Sequence, residues 1–567
     1  MNNNYFRVFR TVLVPVFCLS FAACRPQGSL SISTTTSTTN PSVSTGSSSS
    51  AGTGDTPGSH STTDPTTSLT DTIPTESTSS KSVTTEPPST PIIADVTLQI
   101  KNNKAVLTNY NGSSGIYHGY AYMPDSTREE YSEAEAQLEY DRLEAAGVTL
   151  VRTKLYQSWA WNEGTNKWNW NSERMQAFYK WLDEMDKRGI EVAVNMAWSY
   201  DEICQTTSIE GYENPFAYLA GNNDLYDCLE YYAKWGTDIV NEVIINRGHT
   251  NVKYFVILTE PNNHGYGEVE ANTKESFFIW RDVIKTLHDQ MTSDGVRNKV
   301  KFVGPNSTTN CPEFLNWAVE YANNYIDIYS THVYGLVNWM YEDMYSYWSD
   351  WADKALKIVK PTGKPLWNDE ANTYRITKGL HTSIKEEPWH GTQIVLSQIA
   401  LMNSGMERSM LWSLVNQKWP DRLLGAETAE TWEDGVHRCG ILNDMKTSTI
   451  PYLGYYAYAL AGKYTKGTNS KIYEGVGEDG VYLTMVEMDN GQVTIIAANM
   501  NFDDKNVAFK MDKAINKTLY QHVFDPLTTK PTTKASIIGV SKTFNNVGSS
   551  FTATIPAGGV AVYTSIK

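Results

Sequence analysis

VKYFVILTEPN (residues 252–262) and PLWNDE (residues 365–370) decide how this chain is read. Each is an apolar run that ends in acid: Val252 to Leu258 leads to Glu260, and Pro365 to Trp367 leads to Asp369 and Glu370. Short apolar runs rich in β-branched and aromatic residues predict β-strands. In a (β/α)8 barrel the carboxyl ends of the strands form the face where chemistry is done. Both acids fall at that end.

Working outward, strand-like runs alternate with helical patterns from Gly115 onward, which predicts a parallel α/β fold. Strands are expected at 116–122, 148–152, 191–198, 252–258, 300–303, 326–330, 365–367 and 410–415. Helices are expected at 132–146, 172–188, 225–245, 273–291, 312–322, 350–359, 390–403 and 450–461, with Ser132 placed to cap the first and Gly147 to end it. Eight such units predict a (β/α)8 TIM barrel over residues 92–462, since a doubly wound sheet seldom needs eight. After Gly462 the pattern turns to short strands, at 481–487, 492–498, 518–524, 551–555 and 560–565, with a hairpin signal in Met488-Asp489-Asn490-Gly491. An all-β sandwich is expected over 463–567, with residues around 96–106 lending it a first strand. Gly475 to Gly480 matches GxGxxG, but a dinucleotide site needs a helix next. Val481 to Thr484 reads as strand, so this is expected to be a hairpin turn.

Arg7 and Arg10 precede an apolar stretch, Thr11 to Ala23, that is too short to span a membrane. It ends in Phe21-Ala22-Ala23-Cys24, which resembles a bacterial lipobox. Residues 1–24 are expected to be a lipoprotein-type signal peptide with Cys24 lipidated, anchoring an exported protein to a membrane at the cell surface. Residues 25–91 are dominated by Ser, Thr, Pro and Gly and contain no aromatic residue, so they cannot bury enough apolar surface to fold. They read as a tether. The net charge of -16, without a basic run in the folded part, argues against nucleic acid as a partner. Cys204, Cys228, Cys311 and Cys439 show no CxxC or Cys/His metal spacing, and the strand ends carry no His-x-His set. No metal, cofactor or protein partner is therefore expected. A Gly-x-Ser-x-Gly elbow is also missing, which sets serine hydrolase chemistry aside.

A single acid after a strand is often only a solvated loop residue. Glu260 and Glu370 occupy equivalent places three strands apart and so face each other across a barrel mouth. Two carboxyls so placed are the minimal equipment for hydrolysing a glycosidic bond. Asp369 is the rival of Glu370. Neighbours on a strand point to opposite faces, so only one of the two is expected to face the barrel axis.

On these residues the chain resembles the clan A retaining glycoside hydrolases. Glu260-Pro261-Asn262 is similar to the clan's Asn-Glu-Pro motif at strand four, and Asp327 to Tyr334 to the strand-six pattern of families 39 and 51. Family 39, which the trailing β-module also suits, is the nearest. The resemblance implies Glu260 as acid/base and Glu370 as nucleophile. It also implies Tyr334 bonded to Glu370, Arg152 beside it keeping it ionised, His332 orienting a glutamate or the substrate, and Trp412 under the sugar. The clan's Asn before the acid/base is Thr259 here, too short to make the same contact to the sugar 2-hydroxyl; Asn262 and Asn372 are the candidate substitutes. Trp198, with Trp159, Trp161, Trp168, Trp170, Trp339, Trp348 and Trp351, follows a strand and is a candidate for stacking on sugar. The plainer alternative is that many of these rings are core, with Trp168 and Trp170 stapling a loop onto the second helix. A carbohydrate substrate is thus expected. The competing class is a catalytically inactive, surface glycan-binding lipoprotein, which the tether and aromatics suit equally and the paired glutamates argue against.

Overall fold

The computed structural model describes residues 93–117, 131–162, 164–197, 200–204, 215–221, 225–266, 269–309, 311–336, 344–377, 380–383, 387–418, 432–433, 436–437, 440–443, 445–446 and 448–567. The expected signal peptide with Cys24, the tether, Trp198 and Trp339 lie outside the described residues.

Eight parallel strands close a barrel. They are β1 Ser113–Ile116, β2 Val148–Lys154, β3 Glu191–Asn195, β4 Val252–Val256, β5 Lys301–Ser307, β6 Ile328–Leu336, β7 Leu366–Thr377 and β8 Arg408–Leu411. Neighbours pair in chain order, and β8 pairs with β1 to complete the ring. Each strand is followed by a helix: α1 Glu133–Ala145, α2 Glu173–Lys187, α3 Leu225–Ile239, α4 Lys274–Ser293, α5 Pro312–Tyr321, α6 Met344–Val359, α7 His390–Ser404 and α8 Leu453–Lys463. Local chemistry explains the ends. Ser132 and Glu135 form a capping box at the start of α1. Gly147 then turns the chain at φ +66°, where a Cβ would collide with the backbone of Gly462.

The expected strand boundaries shift at functionally important places. β1 is Ser113–Ile116, starting before the expected 116–122, of which residues 118–122 lie outside the described residues. β6 and β7 run on to Leu336 and Thr377, well past the apolar runs that announce them. From these extensions His332, Tyr334, Asp369 and Glu370 meet in the upper lumen. Below, the lumen is filled by Leu150, Ala193, Val256, Val303, Trp367 and Met410, which pack as one apolar cluster.

The aromatic loop after β2 is core. Trp168 and Trp170 both stack on Trp235, at 4.6 and 4.8 Å. They therefore staple the loop chiefly onto α3, while the carbonyl of Trp170 accepts a hydrogen bond from Tyr179 of α2. Trp348 is fully buried under β6.

The sandwich is built from β9 Ser470–Val476, β10 Val481–Glu487, β11 Val493–Asn499, β12 Lys505–Met511, β13 Lys517–Phe524, β14 Lys542–Val547, β15 Ser550–Ile555 and β16 Val560–Thr564. It also takes Val96–Ile100, which runs parallel to β12 and antiparallel to β9, and Leu107–Tyr110, which pairs with β9. Residues 96–100 and 107–110 thus pair within the sandwich, where residues around 96–106 were expected to lend a first strand, although they fall inside the 92–462 bounds given to the barrel. The GxGxxG stretch is a hairpin between β9 and β10, with Asp479 and Gly480 at positive φ. Helix α7 is buried almost all round, because the barrel covers one side and the sandwich the other. Asn403 near its end donates to the carbonyls of Gly475 (3.2 Å) and Leu483 (2.9 Å), and Tyr345 of α6 stacks on Tyr482 at 4.3 Å. Among the described residues no helix is long and apolar enough to cross a membrane.

Asn403→Ala strips two buried carbonyls of their donor. A loss of about 1–3 kcal/mol of unfolding free energy is expected, measured by urea denaturation; an unchanged midpoint would refute the bridging role of this side chain.

Candidate active site

The upper lumen gathers polar side chains from five strands. Arg152 comes from β2, Asn306 from β5, His332 and Tyr334 from β6, Asp369 and Glu370 from β7, while Thr259 and Glu260 follow β4. The chain makes a sharp exit after β4. Leu258 and Glu260 adopt left-handed backbone angles (φ +61° and +48°), and Pro261–Asn263 forms a single 3-10 turn. A left-handed non-glycine residue costs energy and persists only where its surroundings over-determine it. Here Glu260 N donates to Asn306 O at 3.1 Å, and Asn263 N donates to Glu260 O at 2.8 Å.

The β6–β7 ladder contains a β-bulge. Asn368 lies opposite Thr331 and Glu370 opposite His332, which leaves Asp369 without a partner residue. A bulge breaks the alternation of faces. Asp369 and Glu370 accordingly both point into the site, and the expectation that only one of them faces the axis is overturned. Both are buried, Asp369 completely.

Arg152 is the hub. Its Nη1 donates to Asp369 O at 3.0 Å and to Glu370 Oε2 at 3.4 Å. Its Nη2 donates to Thr259 Oγ1 at 2.8 Å and to Asn306 Oδ1 at 3.4 Å. Tyr334 donates its hydroxyl to Glu370 Oε1, and Asn306 Nδ2 donates to Asp369 Oδ2. His332 bridges the two glutamates, with Nδ1 2.8 Å from Glu260 Oε1 and 3.6 Å from Glu370 Oε2. The second oxygen of Glu260 accepts from Asn263 Nδ2 at 3.0 Å.

Burial, acting alone, would discharge every ionisable group here. It lowers His332, but Glu370, the hydrogen bond to Glu260 and the charge of Asp369 outweigh it and hold the imidazole above its usual value. Burial raises Asp369, opposed by His332 and Arg152. It also raises Glu370, with His332, Arg152 and Tyr334 opposing and the charge of Glu260 adding. Three carboxyls face one arginine and one histidine. With both bases charged, the cluster is neutral when one carboxyl keeps its proton.

Glu260, His332 and Glu370 each offer a ligand atom within 4.8 Å of the others, enough for a cation in geometry alone. The guanidinium of Arg152, 3.4 Å from Glu370 Oε2, sets a fixed positive charge against one.

The other expected site residues divide. Trp412 stands at the top of β8, packed in the lumen cluster next to Tyr334. Thr259 is in the site, but its oxygen is occupied by Arg152 Nη2 and Asn195 Nδ2. Asn262, expected at the substrate, is fully buried: Nδ2 donates to Asn272 Oδ1 and Thr308 Oγ1, and Oδ1 accepts from Thr308 N. It fastens the loop after β4 to the one after β5. Asn372, the other candidate substitute, ties β7 to Trp412 O and His390. Asn195, Asn263 and Asn306 carry no sequence signal of their roles, because a single Asn at or beyond a strand end belongs to no periodic pattern or motif.

No protein-family model matches the sequence, and no curated protein matches it. Solved structures do resemble it. A GH30 endoxylanase from Clostridium papyrosolvens C71 is 13% identical, with 83% of this chain and 99% of that one covered at TM-score 0.55. An α-L-arabinofuranosidase from Thermotoga maritima is 13% identical, with 82% and 99% covered at TM-score 0.53. A monomeric β-xylosidase from Caulobacter crescentus CB15 is 13% identical, with 83% and 99% covered at TM-score 0.53. The likeness is one of fold, and its span takes in the sandwich as well as the barrel.

The raised state of His332 fixes a sign. A group whose folded value lies above its unfolded one stabilises the fold below the unfolded value, and that stabilisation is lost as pH rises through the folded value. The stability advantage of the parent over His332→Gln should therefore shrink as pH rises above about 6.5, measured by urea denaturation on either side of that value. An advantage that grows with pH would contradict the charge assigned to the imidazole.

Proposed function

We propose that this protein is a retaining glycoside hydrolase that cleaves O-glycosidic bonds by double displacement. The carrying observation is the approach of the two glutamates, one carboxylate oxygen of each lying within 4.8 Å of the other. Retaining enzymes hold their carboxyls about 5–5.5 Å apart, whereas inverting ones leave about 6.5–9.5 Å for a water. Glu370 is the nucleophile: Tyr334 and Arg152 hold one oxygen each, which orients the carboxylate and favours its ionised form. The complete burial of Asp369 and its bond from Asn306 favour Glu370 over it in that role. Glu260 is the acid/base, protonating the leaving oxygen and then deprotonating water. Trp412 and Tyr334 offer ring surface for the sugar.

The names of the structural neighbours, which include xylan-, xyloside- and arabinofuranoside-cleaving enzymes, support a carbohydrate substrate and clan A membership. The strand-six residues resemble families 39 and 51 alike, and the trailing β-module is what favours family 39. The C2 contact of the sugar differs from the clan's, because the Thr259 oxygen already accepts two donors. The apolar stretch ending at Cys24 and the tether after it support an exported, membrane-anchored enzyme. Palmitate labelling that survives Cys24→Ser would remove the anchor from this proposal.

Aryl β-xylosides, β-glucosides and α-L-arabinofuranosides form the first substrate panel, with the anomer of the released sugar followed by NMR. Retention is expected, inversion would reject the mechanism, and Glu370→Gln is expected to abolish turnover. Glu260→Gln should slow substrates with poor leaving groups by about 10²–10⁴-fold and aryl glycosides with good ones far less. No release from any substrate, with glycan still retained on an affinity gel, would favour the binding lipoprotein instead.

A further inference from the structure

Two buried side chains, at the end of β3 and just after β4, keep hydrogen-bonding capacity that the protein does not use. Side chains alternate along a strand. In β3, Ala193 packs in the lumen cluster, while Val192 and Val194 join the core under the helices. Asn195 therefore points into the lumen, one layer above Ala193. Its Nδ2 donates to Thr259 Oγ1, whereas its Oδ1 is buried without a hydrogen bond. Lys154 of β2, opposite Asn195 in register, donates to Glu202 and leaves that oxygen alone. Thr259 Oγ1 accepts from Asn195 Nδ2 and, at 2.8 Å, from Arg152 Nη2. A hydroxyl has two acceptor lone pairs and one hydrogen. Both lone pairs are engaged, so Thr259 is left as a donor, and among the described residues no group accepts its hydrogen.

We propose that Asn195 and Thr259 together bind the hydroxyl at C2 of the sugar, Asn195 Oδ1 accepting its hydrogen and the Thr259 hydroxyl donating to its oxygen. This rests on the reading of Glu370 as the nucleophile. A hydroxyl is the uncharged group that donates and accepts through one atom. Arg152 fixes which hydroxyl it is. One guanidinium holds Thr259 Oγ1 through Nη2 and Glu370 Oε2, at 3.4 Å, through Nη1. The donor and acceptor are therefore set beside the carboxylate that attacks the anomeric carbon, where the substituent of the neighbouring carbon lies. The amide that the clan carries before its acid/base offers one donor and one acceptor on a single side chain. Here the same pair is divided between β3 and the turn after β4.

The division sets a substrate requirement. Hydrogen bonds to the C2 hydroxyl strengthen in the transition state. A sugar without that hydroxyl leaves Asn195 Oδ1 and the Thr259 hydrogen unmatched in a buried site. A 2-acetamido sugar donates to Asn195 through its N–H, but its amide nitrogen has no lone pair to accept from Thr259. The substrate class is thus the glycosides of sugars with a free C2 hydroxyl, and 2-acetamido sugars fall outside it.

The test sets each aryl glycoside of the panel beside its 2-deoxy and 3-deoxy analogues, with the full-length protein. The 2-deoxy substrate should lose about 10⁴-fold in kcat/KM, and the 3-deoxy substrate far less. Asn195→Ala should narrow the preference for the 2-hydroxy over the 2-deoxy substrate by about tenfold or more. A purely structural loss would slow both substrates alike and leave that ratio in place. Thr259→Val, which keeps the shape and removes the hydroxyl, should narrow it too and serves if Asn195→Ala does not fold; the parent comparison needs no variant. A 2-deoxy substrate that loses no more than the 3-deoxy one, or a ratio unmoved by both variants, overturns the proposal. If no glycoside is turned over, the hydrolase reading fails by itself, and the pair is then judged by saturation-transfer NMR of the methyl glycosides. Preferred binding of the 2-hydroxy over the 2-deoxy sugar upholds it, and equal or absent binding overturns it.

Discussion

A guanidinium cut off from water has to be met on every side by acceptors, and at Arg152 those acceptors come from around the barrel. Thr259 follows β4, Asn306 ends β5, and Asp369 and Glu370 belong to β7. Leaving a buried charge without partners costs several kcal/mol. The closed ring satisfies this because parallel strands bring residues far apart in sequence to one level. Arg152 and Glu370 are separated by 218 positions. Arg152 fixes the orientation of Thr259, the backbone carbonyl of Asp369 and one oxygen of Glu370.

The same guanidinium limits what the site can hold. It sits where a divalent cation would otherwise find Glu260, His332 and Glu370. It also supplies a fixed positive charge that opposes the effect of burial on Asp369 and Glu370. A cluster of this kind spends stability for function: burial raises Asp369 and Glu370, and Arg152, His332 and hydrogen bonds such as that from Tyr334 bring them back toward ionisation. The left-handed turn at Glu260 is a second local cost, held by Asn306 and by the network of Asn262, Asn272 and Thr308 around the following loop.

Around this site the scaffold is conventional in its physics. The lower lumen is apolar and filled, helices cover the outside, and the sandwich covers α7 and α8 where an exposed barrel helix would normally carry a polar face. The sandwich is tied to the barrel through Asn403, through the Tyr345–Tyr482 stack and through chain that precedes the barrel. The aromatic loop after β2 shows the limit of composition as a guide to function. Its tryptophans lie beyond a strand, as sugar-stacking rings would, yet Trp168 and Trp170 are taken up by Trp235.

Alternation of apolar runs with helical patterns, the eight-fold count, the hairpin at Asp489-Asn490-Gly491 and the two glutamates at strand ends were all legible in the sequence, because each depends on neighbours within a few residues. Pairing of Tyr334 with Glu370 and nearness of Arg152 were legible only by resemblance. Three things were decided by the tertiary structure. The bulge at Asp369 depends on the register between β6 and β7, and no single strand carries it. The duties of Asn262, Asn306 and Asn372 depend on which loops meet above the barrel, since an amide bonds equally well to substrate or to backbone. The charge of His332 depends on three carboxylates brought together from two other strands. Local sequence determines which elements form and what each delivers; the closing of the ring determines which of the delivered groups touch, because only there do distant charges come within bonding distance.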